Sequence, residues 1–375
     1  MNQNRIAIIG LGLIGGTLAK TIHRIDPGCE ILACDPNEAP LRAAQSEQVI
    51  SKGYLLPGRE SITANFPAEE FGTCRYIFLC APVEQNKSYL RLLAPYLSAS
   101  CILTDTGSVK SPIHQEIKAL GLSRFFLGGH PMAGSEKSGY EHATAYLFEN
   151  AYYLITCGEE NDPALVSEYK SFIAKLGMIP LVMSPAEHDY DTAAVSHLPH
   201  VLASELVHLV RDLDNDREDM KAIAAGGFKD ITRIASSSPV MWEEICHANS
   251  TQLLLLLDHF KKDLTAIEEM IAAKDSAAIR CFFQEAKDYR DSLSIQKNGS
   301  LPGVYELCCD LIDEAGGIAT IATILATNRI SIKNIGIVHN REFEQGVLRI
   351  EFYEEKALKD AVALLRRHHY TIYER

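Results

Sequence analysis

"RIAIIGLGLIGGTLAKTI", residues 5 to 22, begins as a short apolar run, turns through Gly10, Gly12 and Gly15, and continues with helical periodicity. The three glycines stand in GxGxxG spacing. The first permits a tight turn, the second lets a pyrophosphate approach the backbone, and the third lets helix and strand pack closely. Amides at the start of the helix, at Leu13 and Ile14, then face the phosphates. A second strand-like run, "EILACD", ends at Asp35. A carboxylate about 20 residues past the glycines accepts hydrogen bonds from adenosine ribose hydroxyls and repels a 2′-phosphate, so the spacing predicts an NAD site rather than an NADP site.

Working outward, "RYIFLCAP", "CILTDTG", "RFFLGGHP", "AYYLITC" and "IPLVMS" alternate with helix-sized segments. Continuous apolar runs in that order predict a parallel sheet covered on both faces, making residues 1–184 a doubly wound α/β domain. Ligands in such sheets bind beyond the carboxyl ends of the strands. That places Ala81 and Pro82 of "CAPV", Ser108 of "TDTGSVK", and His130 of "GGHPMAGSE" on the cofactor side.

From Pro185 the character changes. Ser184 and Pro185 form a helix start, and apolar residues at three-to-four spacing follow. No strand-like run interrupts the segment 185–296. "LLLLL" at 253–257 is apolar all round and predicts a helix buried on every side, most simply against a second copy of the chain in a homodimer, with a helix central to one subunit's own bundle as the other reading. After the linker "SIQKNGSLPG", residues 297–375 read as strand, helix, strand, strand, helix, strand, the ferredoxin-like βαββαβ order.

Composition narrows the functional classes. A net charge of -13 with no basic run argues against nucleic acid as a partner. The leucine run is far shorter than the roughly 20 residues of a membrane span, and the N-terminus reads as a first strand rather than a signal peptide. The chain has 10 cysteines, without CxxC pairs, which suits reduced core residues of a cytoplasmic protein.

Together, "GLGLIGGTLA", "TDTGSVK", "GGHPMAGSEKSG", "SHLPH" and "GGFKDITRIASSSPVMW" resemble the prephenate dehydrogenase (TyrA) family over roughly residues 5 to 290. The last segment resembles an ACT domain, a small module that commonly binds amino acids. The resemblance implies NAD-dependent oxidative decarboxylation of prephenate to 4-hydroxyphenylpyruvate in tyrosine biosynthesis. It makes His130 the group that polarises or deprotonates the ring hydroxyl. Ser108 matches a serine that lies near the nicotinamide and orients this histidine.

Arg233 matches the arginine that grips a substrate carboxylate, with Asp230 three residues earlier on the same helical face to hold it. His200 matches the substrate-side histidine, and His197 reads as structural. That pair lacks a third ligand for a metal, and the reaction needs none. Ser135 and Glu136 match polar residues lining the substrate pocket. Trp242 matches a residue reaching the site from the partner subunit, while a single core aromatic is the other reading.

In the ACT-like segment "DEAGG" keeps Asp313 and Gly316 but has Ala315 where the module often has proline. Pathway logic makes tyrosine the expected effector. Arogenate dehydrogenases share these residues, so the motifs leave prephenate and its amino-acid analogue open, with Asp35 leaning toward the NAD-using prephenate branch. A β-hydroxyacid dehydrogenase would carry a lysine on the first long helix after the α/β domain, and "AEHDYDTAAVSHLPHVLASELV" has none. A non-catalytic metabolite sensor is the reading of another class, and intact His130, Ser108 and Arg233 speak against it.

Overall fold

The structure, a computed structural model, describes residues 5–57, 65–134, 137–293, 305–310, 316–338 and 347–373. It divides into two compact units, residues 1–266 and 267–375.

The first unit begins with β1 (Arg5–Ile9), α1 (Leu13–Ile25), β2 (Glu30–Asp35), α2 (Glu38–Ser46), β3 (Lys52–Leu55), α3 (Ala68–Gly72), β4 (Tyr76–Leu79), α4 (Val83–Leu93) and β5 (Ile102–Asp105). These strands form a wholly parallel sheet in the order β3-β2-β1-β4-β5. Then come α5 (Ser111–Ala119), β6 (Gly128–Pro131), β7 (Tyr152–Thr156), α6 (Pro163–Lys175) and β8 (Ile179–Met183). A parallel bridge between Leu103 and Phe126 joins the β6 approach to β5.

Side chains alternate along β1. Ile6 and Ile8 enter one core with Leu18, Ile31, Tyr153 and Tyr169, while Ala7 and Ile9 enter the other with Leu32, Ile77, Leu90 and Leu103. Both faces are therefore covered, as the apolar runs require.

Two strand-level expectations need correction. The short edge strand β3, "KGYL", is half-exposed and carries no apolar run, so the sequence reading passes over it. β7 runs antiparallel to β6, not parallel. Among the described residues the connection between them holds only a short 3₁₀ turn at Tyr140–His142, and a connection without a crossover helix allows the chain to return antiparallel.

The helical part follows with α7 (Pro185–Thr192), a π turn (Ala193–His197), α8 (Leu198–Leu213), α9 (Asp219–Ile223), α10 (Gly226–Thr232), α11 (Pro239–Ala248) and α12 (Ser250–Ala272). Ser184 and Glu187 close a capping box at the start of α7. Of the five leucines on α12, Leu253 is buried, but Leu254 is 67% and Leu255 45% exposed. Burial on every side is thus not achieved within one chain.

In the second unit, α13 (Ser276–Ser292) precedes β9 (Tyr305–Asp310), α14 (Gly317–Thr327), β10 (Ile332–Val338), β11 (Val347–Phe352), α15 (Glu355–Arg367) and β12 (Ile372–Tyr373). The sheet is antiparallel in the order β10-β11-β9-β12, the ferredoxin-like arrangement the element order predicts. Leu307, Cys309, Ile321, Leu325, Ile350 and Leu365 form its core. No described helix is long and apolar enough to cross a membrane, and the ten cysteines form no disulfide.

Candidate active site

The turn between β1 and α1 is shaped for a dinucleotide. Gly12 caps α1 with no side chain on the first-turn amides, and a Cβ placed there would meet nothing within 4 Å. The opposite holds at Gly15, where a Cβ would run into the Gly10 carbonyl oxygen. Glycine therefore opens the phosphate side at one position and lets the helix close on the strand at the other.

Asp35 is buried at the end of β2 and accepts the Leu11 amide on Oδ2 and the Asn37 amide on Oδ1, both at 2.8 Å. Each carboxylate oxygen keeps a second lone pair for a ribose hydroxyl. Ala81 lies where β4 passes into α4, its carbonyl accepting from Asn86 Nδ2 at 2.8 Å, and Pro82 caps α4. This set fits the adenosine half of a nicotinamide dinucleotide.

Beyond the carboxyl ends of β5 and β6 lies a buried polar cluster. Lys110 is fully buried; its Nζ forms an ion pair with Asp105 and donates to the Gly129 carbonyl at 2.7 Å. Burial lowers the ammonium's pKa against the opposing pull of Asp105. A Cβ on Gly129 would collide with the Tyr153 hydroxyl, so glycine before the histidine lets β6 lie flush against β7.

His130 follows on β6, with Nδ1 2.9 Å from Nε2 of His188 on α7. His188 Nδ1 is in turn 2.9 Å from Asp189 Oδ1. That carboxylate also accepts the Lys110 amide at 2.7 Å and the Ser111 amide at 2.8 Å, at the N-terminus of α5. Burial pushes the Asp189 pKa up, but the bonds from His188, Ser111 and Lys110 outweigh it and hold the carboxyl below its ordinary range. Burial, then the neighbouring His188, Lys110 and His197, hold His130 well below the ordinary histidine value. His188 is lowered too, chiefly by burial, against the pull of Asp189.

A second histidine group sits on the π turn and α8. Asn249 Nδ2 donates to the Asp189 carbonyl at 2.7 Å and lies 3.2 Å from His197 Nδ1. Burial pushes His197 down to about 4. His200 Nδ1 is bonded to the Ser196 carbonyl at 2.9 Å, and its ring stacks on Trp242 with centroids 4.0 Å apart.

Comparison with known proteins places this geometry. Residues 60–179 match the family model "Prephenate dehydrogenase, nucleotide-binding domain", and residues 184–285 match "Prephenate dehydrogenase, dimerization domain". A prephenate dehydrogenase of Bacillus subtilis is 37% identical over 96% of this chain and 96% of its own length. The chain belongs to the prephenate dehydrogenase family. A second prephenate dehydrogenase, from Lactococcus lactis, is 36% identical over 97% of this chain and 98% of its own. The crystal structure of an Aquifex aeolicus prephenate dehydrogenase in complex with hydroxyphenyl propionate and NAD+ superposes with a TM-score of 0.71 at 29% identity, over 78% of this chain and 99% of that one.

The remaining residues expected from the prephenate dehydrogenase resemblance are placed as follows. Ser108 lines a cavity of about 420 Å³ with Pro82, Met241, Glu244 and Ile245. At His130 the Nδ1 bond is made by His188. Arg233 is exposed and starts a 3₁₀ turn at the end of α10. Asp230 is exposed on α10, three residues before Arg233. Trp242 stacks on His200 of its own chain. Gly316 caps α14 at a φ of 97°. Ser135, Glu136 and Asp313 lie outside the described residues.

His188, Asp189, Lys110 and Asn249 escape the sequence reading. The signal was present in two places: an adjacent His-Asp pair just inside a capped helix, and a lysine five residues after the strand-end Asp105.

Proposed function

We propose that this prephenate dehydrogenase uses His130 to take the ring-hydroxyl proton during NAD-dependent oxidative decarboxylation of prephenate in tyrosine biosynthesis. The observation that carries the assignment is the placement of a hydrogen-bonded imidazole at the carboxyl end of β6, on the side of the sheet where the glycine turn lies. NAD supplies the acceptor for the hydride on the hydroxyl-bearing carbon. His130 removes the hydroxyl proton as that carbon becomes a carbonyl. The ring carboxylate then leaves as carbon dioxide, its bonding electrons complete the aromatic ring, and the phenolate oxygen takes the proton back to give 4-hydroxyphenylpyruvate.

Because aromatisation drives the reaction, the protein's task is orientation and proton removal. A histidine kept neutral by its surroundings keeps its lone pair available at and below neutral pH.

Around that step we assign Asp35 to the adenosine ribose, with Gly10, Gly12, Leu13, Ile14, Gly15, Ala81 and Pro82 along the dinucleotide. Ser108 lies beside the nicotinamide. Arg233 binds a carboxylate of the prephenate dianion, and His200, Ser135, Glu136 and Trp242 complete the substrate pocket. Exposed apolar residues on the helical segment, among them Leu209, Leu213, Leu254 and Leu255, support a homodimer through that segment, as does the match to a dimerization domain. We retain the division into domains 1–184, 185–296 and 297–375, tyrosine as the ligand of the last, and the cytoplasm as the location of an enzyme whose thiols are all unbridged.

The test is NADH absorbance with the full-length protein. It rises with prephenate and NAD, stays flat with arogenate, and slows when tyrosine is added. His130→Asn folds, retains NAD affinity and loses about 10³-fold or more in kcat, in the range of general-base contributions. Turnover near the parent value in that variant refutes the assignment.

A further inference from the structure

We propose that His188 and Asp189 are positioning residues for this reaction: they fix which nitrogen of His130 presents a lone pair, and His188 takes over the positive charge once the substrate proton arrives. The inference rests on the reading of His130 as the base.

The tautomer follows from the hydrogen-bond chain. Asp189 accepts two backbone amides at a helix N-terminus and is held ionised, so the hydrogen between it and His188 belongs to His188 Nδ1. A neutral His188 then has its lone pair on Nε2. The hydrogen in the 2.9 Å contact must therefore sit on His130 Nδ1, leaving the lone pair of His130 on Nε2, the nitrogen His188 does not engage. Reversal at any link would place two donors or two lone pairs face to face.

The same chain gives the charge a destination. An imidazolium at His130 would face the buried Lys110 ammonium and His197. As a new N–H bond forms at His130 Nε2, the Nδ1–H bond breaks and its proton joins His188 Nε2. No electron changes owner. The cation then sits on His188, in direct contact with the Asp189 carboxylate. His188 is faced by Asp189 on its own helix, and by Lys110 and Asp105 from the β5 side.

Two substitutions separate orientation from charge transfer. In His188→Gln the amide oxygen accepts from His130 Nδ1–H and the amide NH₂ donates to Asp189, so the tautomer persists but no proton can be received. His188→Leu removes both functions. Expected are losses in kcat of about 10-fold for His188→Gln and about 10³-fold for His188→Leu, with KM for prephenate within about threefold of the parent. Nitrogen-15 spectra of the full chain labelled in histidine should show His130 protonated at Nδ1 in the parent and in His188→Gln.

A proton on Nε2 of His130 in the parent overturns the proposal. So does a folded His188→Gln with kcat equal to the parent while His130→Asn is inactive. An active His130→Asn sinks the underlying reading instead, and if His188→Leu fails to fold, the isosteric glutamine variant and the spectra still decide.

Discussion

Lys110 carries a positive charge into the interior with two partners, the Asp105 carboxylate and the Gly129 carbonyl. A buried ion pair gains little over a well-packed apolar pair, but removing one partner leaves the other charge without compensation. Lys110→Met is therefore expected to lower the unfolding free energy by about 3–5 kcal/mol, read from a denaturant titration. At this scale the sequence was legible where spacing alone carries meaning. Gly10, Gly12, Gly15 and Asp35 announce their geometry because strand, turn and helix fix their separation. His188 and Asp189 were not legible: they read as the polar start of a helix, and only the fold brings them against His130, 58 residues away.

At the scale of elements, alternation of apolar runs and helical periods recovered the doubly wound sheet and the βαββαβ unit. Strand direction was not recoverable for β7, because an apolar run says nothing about which way it is threaded. The π turn at Ala193–His197 was likewise invisible, since five ordinary residues in "AAVSH" continue a helical pattern whichever ladder they adopt. The leucine run of α12 was readable as a demand for burial, and the chain leaves that demand unmet at Leu254 and Leu255. Leu254→Glu should shift the protein toward monomer in analytical ultracentrifugation without changing its circular dichroism. A dimer unaffected by that charge would place the interface elsewhere.

The whole molecule keeps a set of histidines neutral. His114 and His197 are each pushed down to about 4, chiefly by burial, and His130 and His188 are lowered in the same way. Unfolding releases them to an ordinary pKa of about 6.5, so the unfolded chain binds more protons in acid. Stability contributed by these groups is complete above about pH 6.5 and is lost as pH falls from there toward 4, by up to about 1.4 kcal/mol per pH unit for each histidine involved. Melting temperatures measured across that interval should fall steadily, and a flat profile would contradict the neutral assignment.

The match to the nucleotide-binding model ends at residue 179 and the match to the dimerization model begins at 184, while the bond from His130 to His188 reaches across that junction. On the proposed assignment the enzyme's base is thus not the property of either piece: a chain severed there would hold an imidazole of unassigned protonation on one fragment and the group that assigns it on the other. Chemistry, on that assignment, begins only when the seam is closed.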